Sequence, residues 1–368
     1  MSVLEKIRRY EDFNYEKFFN ELSDEDIIRS INKESLNEID LLTLLSPRAE
    51  KFLEVMAQKS NSITKKHFGN TILLYTPIYI ANHCVNKCAY CSFNIENDIK
   101  RRKLNLDEID REGKAVSEKG FKHIILLTGE DPVTTPVEYI KDAVKVLKKY
   151  FTSITIEIYP LKEDEYKYLV ENGVDSLTVY QEVYNKEKYK KVHLKGPKRN
   201  YEFRLNSPES GCKAGMRSVN IGALLGLYNW REEAFMTGVH GKYLQDKYPY
   251  VDVSFSFPRI RPHAGVFNDL VDVSDKNIVQ AILAFRLMFR SSHINISTRE
   301  SKEFRENLLP LGVTKMSASS STEVGSHIDE NSASTAQFEI SDDRDEIEVK
   351  KDLLERGYQP IFKDWIDF

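Results

Sequence analysis

Thr71-Ile72-Leu73-Leu74-Tyr75-Thr76-Pro77-Ile78-Tyr79-Ile80 carries no charge and leads into Ala81-Asn82-His83-Cys84-Val85-Asn86-Lys87-Cys88-Ala89-Tyr90-Cys91-Ser92-Phe93. The apolar run predicts a buried strand over 72–80, with the second stretch as the loop at its C-terminal end. Three of the four cysteines in the chain, Cys84, Cys88 and Cys91, fall within eight residues of that loop. Three soft ligands on one short loop can hold three irons of a [4Fe-4S] cluster and leave the fourth iron open to a non-protein ligand. A structural zinc site is the competing reading. It wants four ligands, often as two C-x2-C pairs, and the nearest fourth candidates are His83 and the distant Cys212. Disulfides need an oxidising compartment, but Met1-Ser2-Val3-Leu4-Glu5-Lys6 lacks the apolar core of a signal peptide. The expected location is therefore cytoplasmic, with the thiols reduced.

Working outward, further short apolar runs occur at 123–128, 154–158, 176–180, 219–225, 251–255, 294–297 and 313–317, which with 72–80 makes eight strand candidates. Amphipathic stretches fit between them, for example at 106–119, 136–149, 162–171, 230–247 and 277–289. Such alternation predicts a parallel sheet covered on both faces, and eight units close into an α/β (β/α)8 barrel of TIM type. Reactive groups in that architecture gather at the C-terminal ends of strands, which is where the cysteine loop lies. Residues 1–70 read as a charged helical extension, 71–318 as the barrel and 319–368 as a C-terminal lid and tail. That last region opens on a Ser-rich then acidic stretch and carries one helix near 346–355.

At 368 residues the chain can bury a large core, and 53 Lys and Arg against 57 Asp and Glu give a formal charge of −4. No global basic field points to nucleic acid, no apolar run approaches the roughly 20 residues that span a bilayer, and no solenoid repeat is present. A small-molecule substrate follows.

The C-x3-C-x2-C spacing with Tyr90 just before its last cysteine resembles the radical S-adenosylmethionine (SAM) superfamily, in which the amino and carboxylate groups of SAM chelate the open iron. From about residue 44 to 365 the chain also resembles the tyrosine lyases of thiamine biosynthesis, the 2-iminoacetate synthases (ThiH). The matching stretches are Leu45-Ser46-Pro47, Phe68-Gly69-Asn70-Thr71, Tyr79, Thr128-Gly129-Glu130, Val179-Tyr180-Gln181-Glu182, His193-Leu194-Lys195-Gly196, the 221–227 run, the 256–262 run, Ser297-Thr298-Arg299-Glu300-Ser301 and Lys363-Asp364-Trp365. Each is short; their order on one scaffold is specific.

The resemblance implies that Thr128-Gly129-Glu130 bonds the SAM ammonium, that Glu182, helped by Gln181, meets the ribose hydroxyls, and that Arg204 pairs with the SAM carboxylate. The backbone at Ile221 would meet adenine while the Ile221 side chain covers the ring. Each has a bland alternative in a strand-end turn, an exposed carboxylate, a surface ion pair or plain packing. For an amino-acid substrate, Arg299 is the first candidate to hold the carboxylate. Arg259 and Arg261 are the rivals, and Tyr79 and Ser317 are polar companions. Lys100-Arg101-Arg102-Lys103 is either a dock for reduced flavodoxin or ferredoxin or a solvated run.

The implied reaction removes a hydrogen from the tyrosine amino group by a 5′-deoxyadenosyl radical made from SAM, then cleaves Cα–Cβ to give p-cresol and 2-iminoacetate (dehydroglycine). Thiazole synthase (ThiG) is the implied partner. A lyase acting on tryptophan and an iron-sulfur scaffold are the alternatives. The related [FeFe]-hydrogenase maturase carries extra C-terminal cysteines, and none follows Cys212 here, which reads as incidental. His263 and the stretch Glu323-Val324-Gly325-Ser326-His327 depart from the family pattern and leave the lid conformation open.

Overall fold

The computed structural model describes residues 2–328 and 334–363. Asp364 and Trp365 of the last matching stretch lie outside the described residues. The eight expected strands are β1 Thr71–Ala81, β2 His123–Thr128, β3 Ser153–Glu157, β4 Ser176–Glu182, β5 Ser218–Ala223, β6 Asp252–Ser256, β7 Ile294–Ile296 and β8 Lys315–Ser317. Each pairs in parallel with the next, and β8 returns to β1 through Leu73–Lys315, Leu74–Met316 and Tyr75–Ser317, closing the barrel. The crossovers carry α1 Leu106–Glu118, α2 Val137–Leu147, α3 Glu163–Glu171, α4 Tyr201–Lys213, α5 Trp230–Lys247, α6 Asp275–Met288 and α7 Lys302–Leu308, with α8 Glu346–Glu355 after β8. The chain is thus a (β/α)8 barrel. α4 contains Pro208 and Gly211, which blur its periodicity; Gly211 lets the helix sit against Leu177 of β4.

Strand alternation divides the side chains sharply. Leu74, Ile124, Leu126, Ile154, Ile156, Leu177 and Val179 are buried against the helical layer. The lower lumen instead collects Tyr75, His123, Thr155, Thr178, Asn220 and Ser254. These polar groups bond one another, as in Asn220 Nδ2 to Ser256 Oγ at 2.9 Å and the His123 ring to Thr155 Oγ1 at 2.9 Å. Most barrels fill this space with branched apolar layers. Here the upper lumen stays open as a cavity.

Five helices between Val3 and Phe68 pack outside α5 and α6. Gly238 of α5 admits Leu41, since a Cβ there would drive into that side chain. The Gln280 amide of α6 donates to Leu44 O (2.9 Å) and Ser46 O (2.8 Å), a structural use for the Leu45-Ser46-Pro47 stretch. Beyond β8, residues 318–328 and 334–345 lie at the C-terminal mouth, where Ser320, Thr322, Gln337 and Phe338 line the cavity. Buried Arg305 of α7 pins the second stretch through Asp342 and the Ser317 carbonyl. The Glu323–His327 stretch is anchored on α1: the Glu112 carboxylate accepts from the His327 and Ile328 amides, each at 3.1 Å. Burial nonetheless pushes the Glu112 carboxyl up to about 7.

Candidate active site

The cysteine loop leaves the top of β1 and is tied down by side chains that grip its backbone carbonyls. Arg101 donates to Asn82 O (2.7 Å), Phe93 O (2.8 Å) and Asn94 O (2.7 Å). Asn94 Nδ2 bonds Cys88 O at 3.1 Å, and Asn97 Nδ2 bonds Ser92 O at 3.0 Å and Ala264 O at 2.7 Å. Lys87–Cys88 forms a short antiparallel clip with His193–Lys195. The three thiols are free, and Cys88 is buried. Burial pushes the Cys88 and Cys91 thiols up, with Cys84 adding to each, so a bound cation is what would hold them as thiolates. Among the described residues no three His, Cys, Asp or Glu groups converge on a single-ion site, whereas a cluster takes one thiolate per iron. Cys212 is buried in α4, its thiol pushed up to about 12 by burial. It takes no part in this loop.

Asn86, given no role in the sequence analysis, joins three strand-end loops. Its Nδ2 donates to Glu130 Oε2 at 2.6 Å, its Oδ1 accepts from Lys198 N at 2.9 Å, and its carbonyl accepts from Ile95 N at 2.9 Å. Gly129 is needed for this junction, because a Cβ there would collide with the His83 carbonyl oxygen. The backbone that approaches Gly129 most closely is thus that of the cysteine loop itself. Among the described residues the buried Thr128 hydroxyl beside it has no hydrogen-bond partner, nor do the amide atoms of Gln181.

Glu182 ends β4 with φ +71°, a left-handed conformation unusual for a residue with a Cβ. Its Oε1 accepts from Lys198 Nζ (2.8 Å) and Arg204 Nη2 (3.1 Å), while Arg204 Nε bonds Tyr180 O (2.7 Å). Burial pushes the Glu182 carboxyl up, but Lys198 and Arg204 outweigh it and hold it below its ordinary range. Two cations and one carboxylate leave this buried trio with a net positive charge. Lys198 was missed in the sequence, although it stands two residues beyond the His193–Gly196 stretch. The Tyr90 hydroxyl meets His193 Nε2 at 2.7 Å, and His193 Nδ1 donates to Tyr189 O at 2.9 Å. Burial, aided by Lys198 and Arg204, keeps that imidazole neutral.

One expectation needs correcting. Ile221 is fully buried and alternates with Asn220, which faces the lumen, so its side chain points to the helical layer. A second correction concerns Lys100–Lys103: Arg101 is engaged as above, Arg102 bonds Glu108 (3.0 Å) and Val324 O (3.2 Å), and Lys103 caps Thr134 O (2.5 Å) and the Tyr139 ring. Arg101 and Arg102 are internal bracing, while Lys100 and Lys103 remain exposed.

Above the polar lumen, the cavity encloses about 740 Å3 of empty space, counting its open mouth. Tyr79, Arg299 and Ser317 all line it, as does Glu157 at the end of β3, which the sequence reading did not single out. The Tyr79 hydroxyl donates to Gln337 Oε1 at 2.7 Å, and Ser317 Oγ accepts from Thr298 N at 3.1 Å. The Arg299 guanidinium stacks 3.4 Å from the Phe338 ring centroid and bonds only the Arg259 carbonyl, at 3.3 Å. Among the described residues it has no carboxylate partner. Arg259 differs: both guanidinium edges are taken, by buried Glu300 and by Asp275 at 2.8 Å. Arg261 bonds Ser341 outside the cavity lining.

Residues 78–237 match the radical SAM superfamily model, and residues 256–359 match the biotin and thiamin synthesis associated domain. Over 341 residues, 92% of this chain and 90% of the relative, the sequence is 39% identical to 2-iminoacetate synthase of Escherichia coli (strain K12). The chain belongs to the 2-iminoacetate synthase family. The Salmonella typhimurium 2-iminoacetate synthase is 37% identical over the same share. Among solved structures, the FeFe-hydrogenase maturase HydG from Carboxydothermus hydrogenoformans superposes with a TM-score of 0.90 at 30% identity, covering 98% of this chain and 85% of that one. Radical SAM membership implies an iron-sulfur cluster and SAM. The donor set described above fits both: three thiols on a braced loop, orphaned Thr128 and Gln181 groups, and a net-positive trio at neighbouring strand ends.

Proposed function

We propose that this enzyme cleaves the Cα–Cβ bond of L-tyrosine to 2-iminoacetate and p-cresol, for the thiazole moiety of thiamine. The observation that carries this reading is an arginine, Arg299, that has no carboxylate partner among the described residues and stands in the barrel mouth that the cysteine loop borders. Cys84, Cys88 and Cys91 would hold a [4Fe-4S] cluster. Glu130, Glu182, Arg204 and Lys198 would hold SAM, with Gly129 and the Ile221 backbone allowing close approach and Tyr90 bracing the loop. When bound, the cluster and SAM supply the 5′-deoxyadenosyl radical that takes the substrate hydrogen.

The residues of the chain do the rest. Arg299 pairs with the substrate carboxylate, and Tyr79 and Ser317 flank it. The buried Asn295 Oδ1 at the cavity floor, which lacks a partner among the described residues, accepts from the phenol hydroxyl. The segment carrying Gln337 and Phe338 keeps water from the imine. An acidic donor, reduced flavodoxin or ferredoxin, docks beside Cys88 on exposed Lys191 and Lys195, which flank the clip with Lys87. Thiazole synthase consumes the product, by family. Four free cysteines accord with a reducing, cytoplasmic setting; no described helix is long and apolar enough to cross a membrane.

Anaerobic reconstitution with iron, sulfide, SAM and dithionite tests the reading. Tyrosine should yield p-cresol in step with 5′-deoxyadenosine. Cleavage of tryptophan but not tyrosine would move the enzyme to the tryptophan lyases, and no 5′-deoxyadenosine with either would leave an electron-transfer module.

A further inference from the structure

We propose that Glu157 is a catalytic base that takes a proton from the ammonium group of the bound amino acid, leaving a neutral amine. This rests on the tyrosine-lyase reading above. Glu157 is in register with Leu127 of β2, and Leu127 with Tyr79 of β1, so the three share one layer of the barrel. Two strand spacings separate Glu157 from Tyr79, roughly 10 Å. Among the described residues the Glu157 carboxylate has no hydrogen bond or ion pair. Every other carboxylate near this mouth is engaged: Glu182 by Lys198 and Arg204, Glu300 by Arg259. Glu157 is half-buried at the strand end, and a partly desolvated carboxylate left alone is costly, which favours a ligand that completes it.

That ligand is already half specified. With Arg299 on the substrate carboxylate and Asn295 under the phenol, the ammonium is the remaining polar group. Glu157 is the remaining unpaired acceptor of opposite charge. The groups facing it are Glu182 from β4, Arg299 from the loop after β7, Arg204 from α4, Lys198 from the turn after the clip, and the phenols of Tyr75, Tyr79 and Tyr180. Burial, then the like charge of Glu182, push its carboxyl up to about 7 against the pull of the three cations. Such a group gains and releases a proton near neutral pH.

In the step itself, one ammonium N–H bond breaks, its electron pair stays on nitrogen, and an O–H bond forms on Glu157. No electron is exchanged. A neutral amine can then give up a hydrogen atom without leaving a positive charge stranded in a desolvated site.

The test compares holoenzyme carrying Glu157→Gln with the parent, at equal iron content, by equilibrium dialysis with SAM present. The ligands are tyrosine, its desamino analogue 3-(4-hydroxyphenyl)propionate, and phenylalanine. The parent should prefer tyrosine over the desamino acid by roughly 10- to 100-fold. Glu157→Gln should erase most of that preference while keeping the preference for tyrosine over phenylalanine. In the parent, p-cresol per 5′-deoxyadenosine should rise through about pH 7, a limb lost in Glu157→Gln and kept in Glu157→Asp. An unchanged amine preference overturns the proposal. So does loss of the phenol preference instead, which would make Glu157 the partner of the phenol. A parent that makes no p-cresol from tyrosine refutes the functional reading itself. A parent that makes it, with the limb intact in Glu157→Gln, refutes only the base.

Discussion

Replacing Arg299 by lysine should keep a positive charge in the barrel mouth and still loosen the substrate. The guanidinium is preorganised: it lies flat on Phe338, bonds the Arg259 carbonyl, and offers its remaining N–H groups to the cavity. A carboxylate can bridge two of those groups, whereas an ammonium supplies one directed bond at most. Losing one charge-assisted bond costs about 1.5 to 3 kcal/mol, so the tyrosine Kd should rise roughly 10- to 150-fold. A looser carboxylate also lets the amine drift, so SAM cleavage should outrun p-cresol formation. The assay is tyrosine affinity by anaerobic titration beside the ratio of p-cresol to 5′-deoxyadenosine. Arg259→Ala is the control. It strips the partner from Glu300, which is 2% exposed, and should lower stability by about 3 kcal/mol while leaving tyrosine affinity almost untouched. Tyrosine affinity held within about twofold in Arg299→Lys and Arg299→Ala, but lost in folded Arg259→Ala, would refute the reasoning and give the carboxylate to the β6 arginine.

Iron and sulfide analysis should find the cluster lost in Cys88→Ala and retained in Cys212→Ala. Gly129→Ala forces a Cβ into the His83 carbonyl, so reconstituted iron content should fall although no ligand has changed. The Glu112 carboxyl is raised in the folded chain, so between about pH 4.5 and 7 the folded state keeps a proton that the unfolded chain releases. Stability should therefore fall across that window, on the order of 3 kcal/mol at most, and level off above it. Glu112→Gln should flatten the fall, as read from Tm at pH 5 and pH 8. Charge reversal at Lys191 and Lys195 together should raise the apparent KM for reduced flavodoxin and weaken its salt dependence, with dithionite-driven turnover unchanged.

Much of this architecture was legible along the chain. Eight apolar runs separated by amphipathic stretches are a local pattern, written by residues within a few positions of one another, and they became the eight parallel strands. The cysteine spacing is equally local, because three ligands on one loop need only that loop. Gly129 stands in a stretch singled out along the chain, but the carbonyl that requires it belongs to His83, in a different strand-end loop.

The charge pattern of the mouth was not readable in this way. Arg259 and Arg299 look alike as strand-end arginines, yet Glu300, next to Arg299 in sequence, turns away to neutralise Arg259. Lys198 joins Glu182 across a turn of chain, Asn86 reaches Glu130 from another loop, and Arg101 folds inward on the cysteine carbonyls instead of staying with the exposed basic run. Glu157 became a candidate only because the folded barrel surrounds it with phenols and leaves its carboxylate without a partner. Periodicity and ligand spacing are short-range and survive in one dimension. Which charges are paired, and which are left alone, depends on groups far apart in sequence, and closure of the barrel brings those groups together.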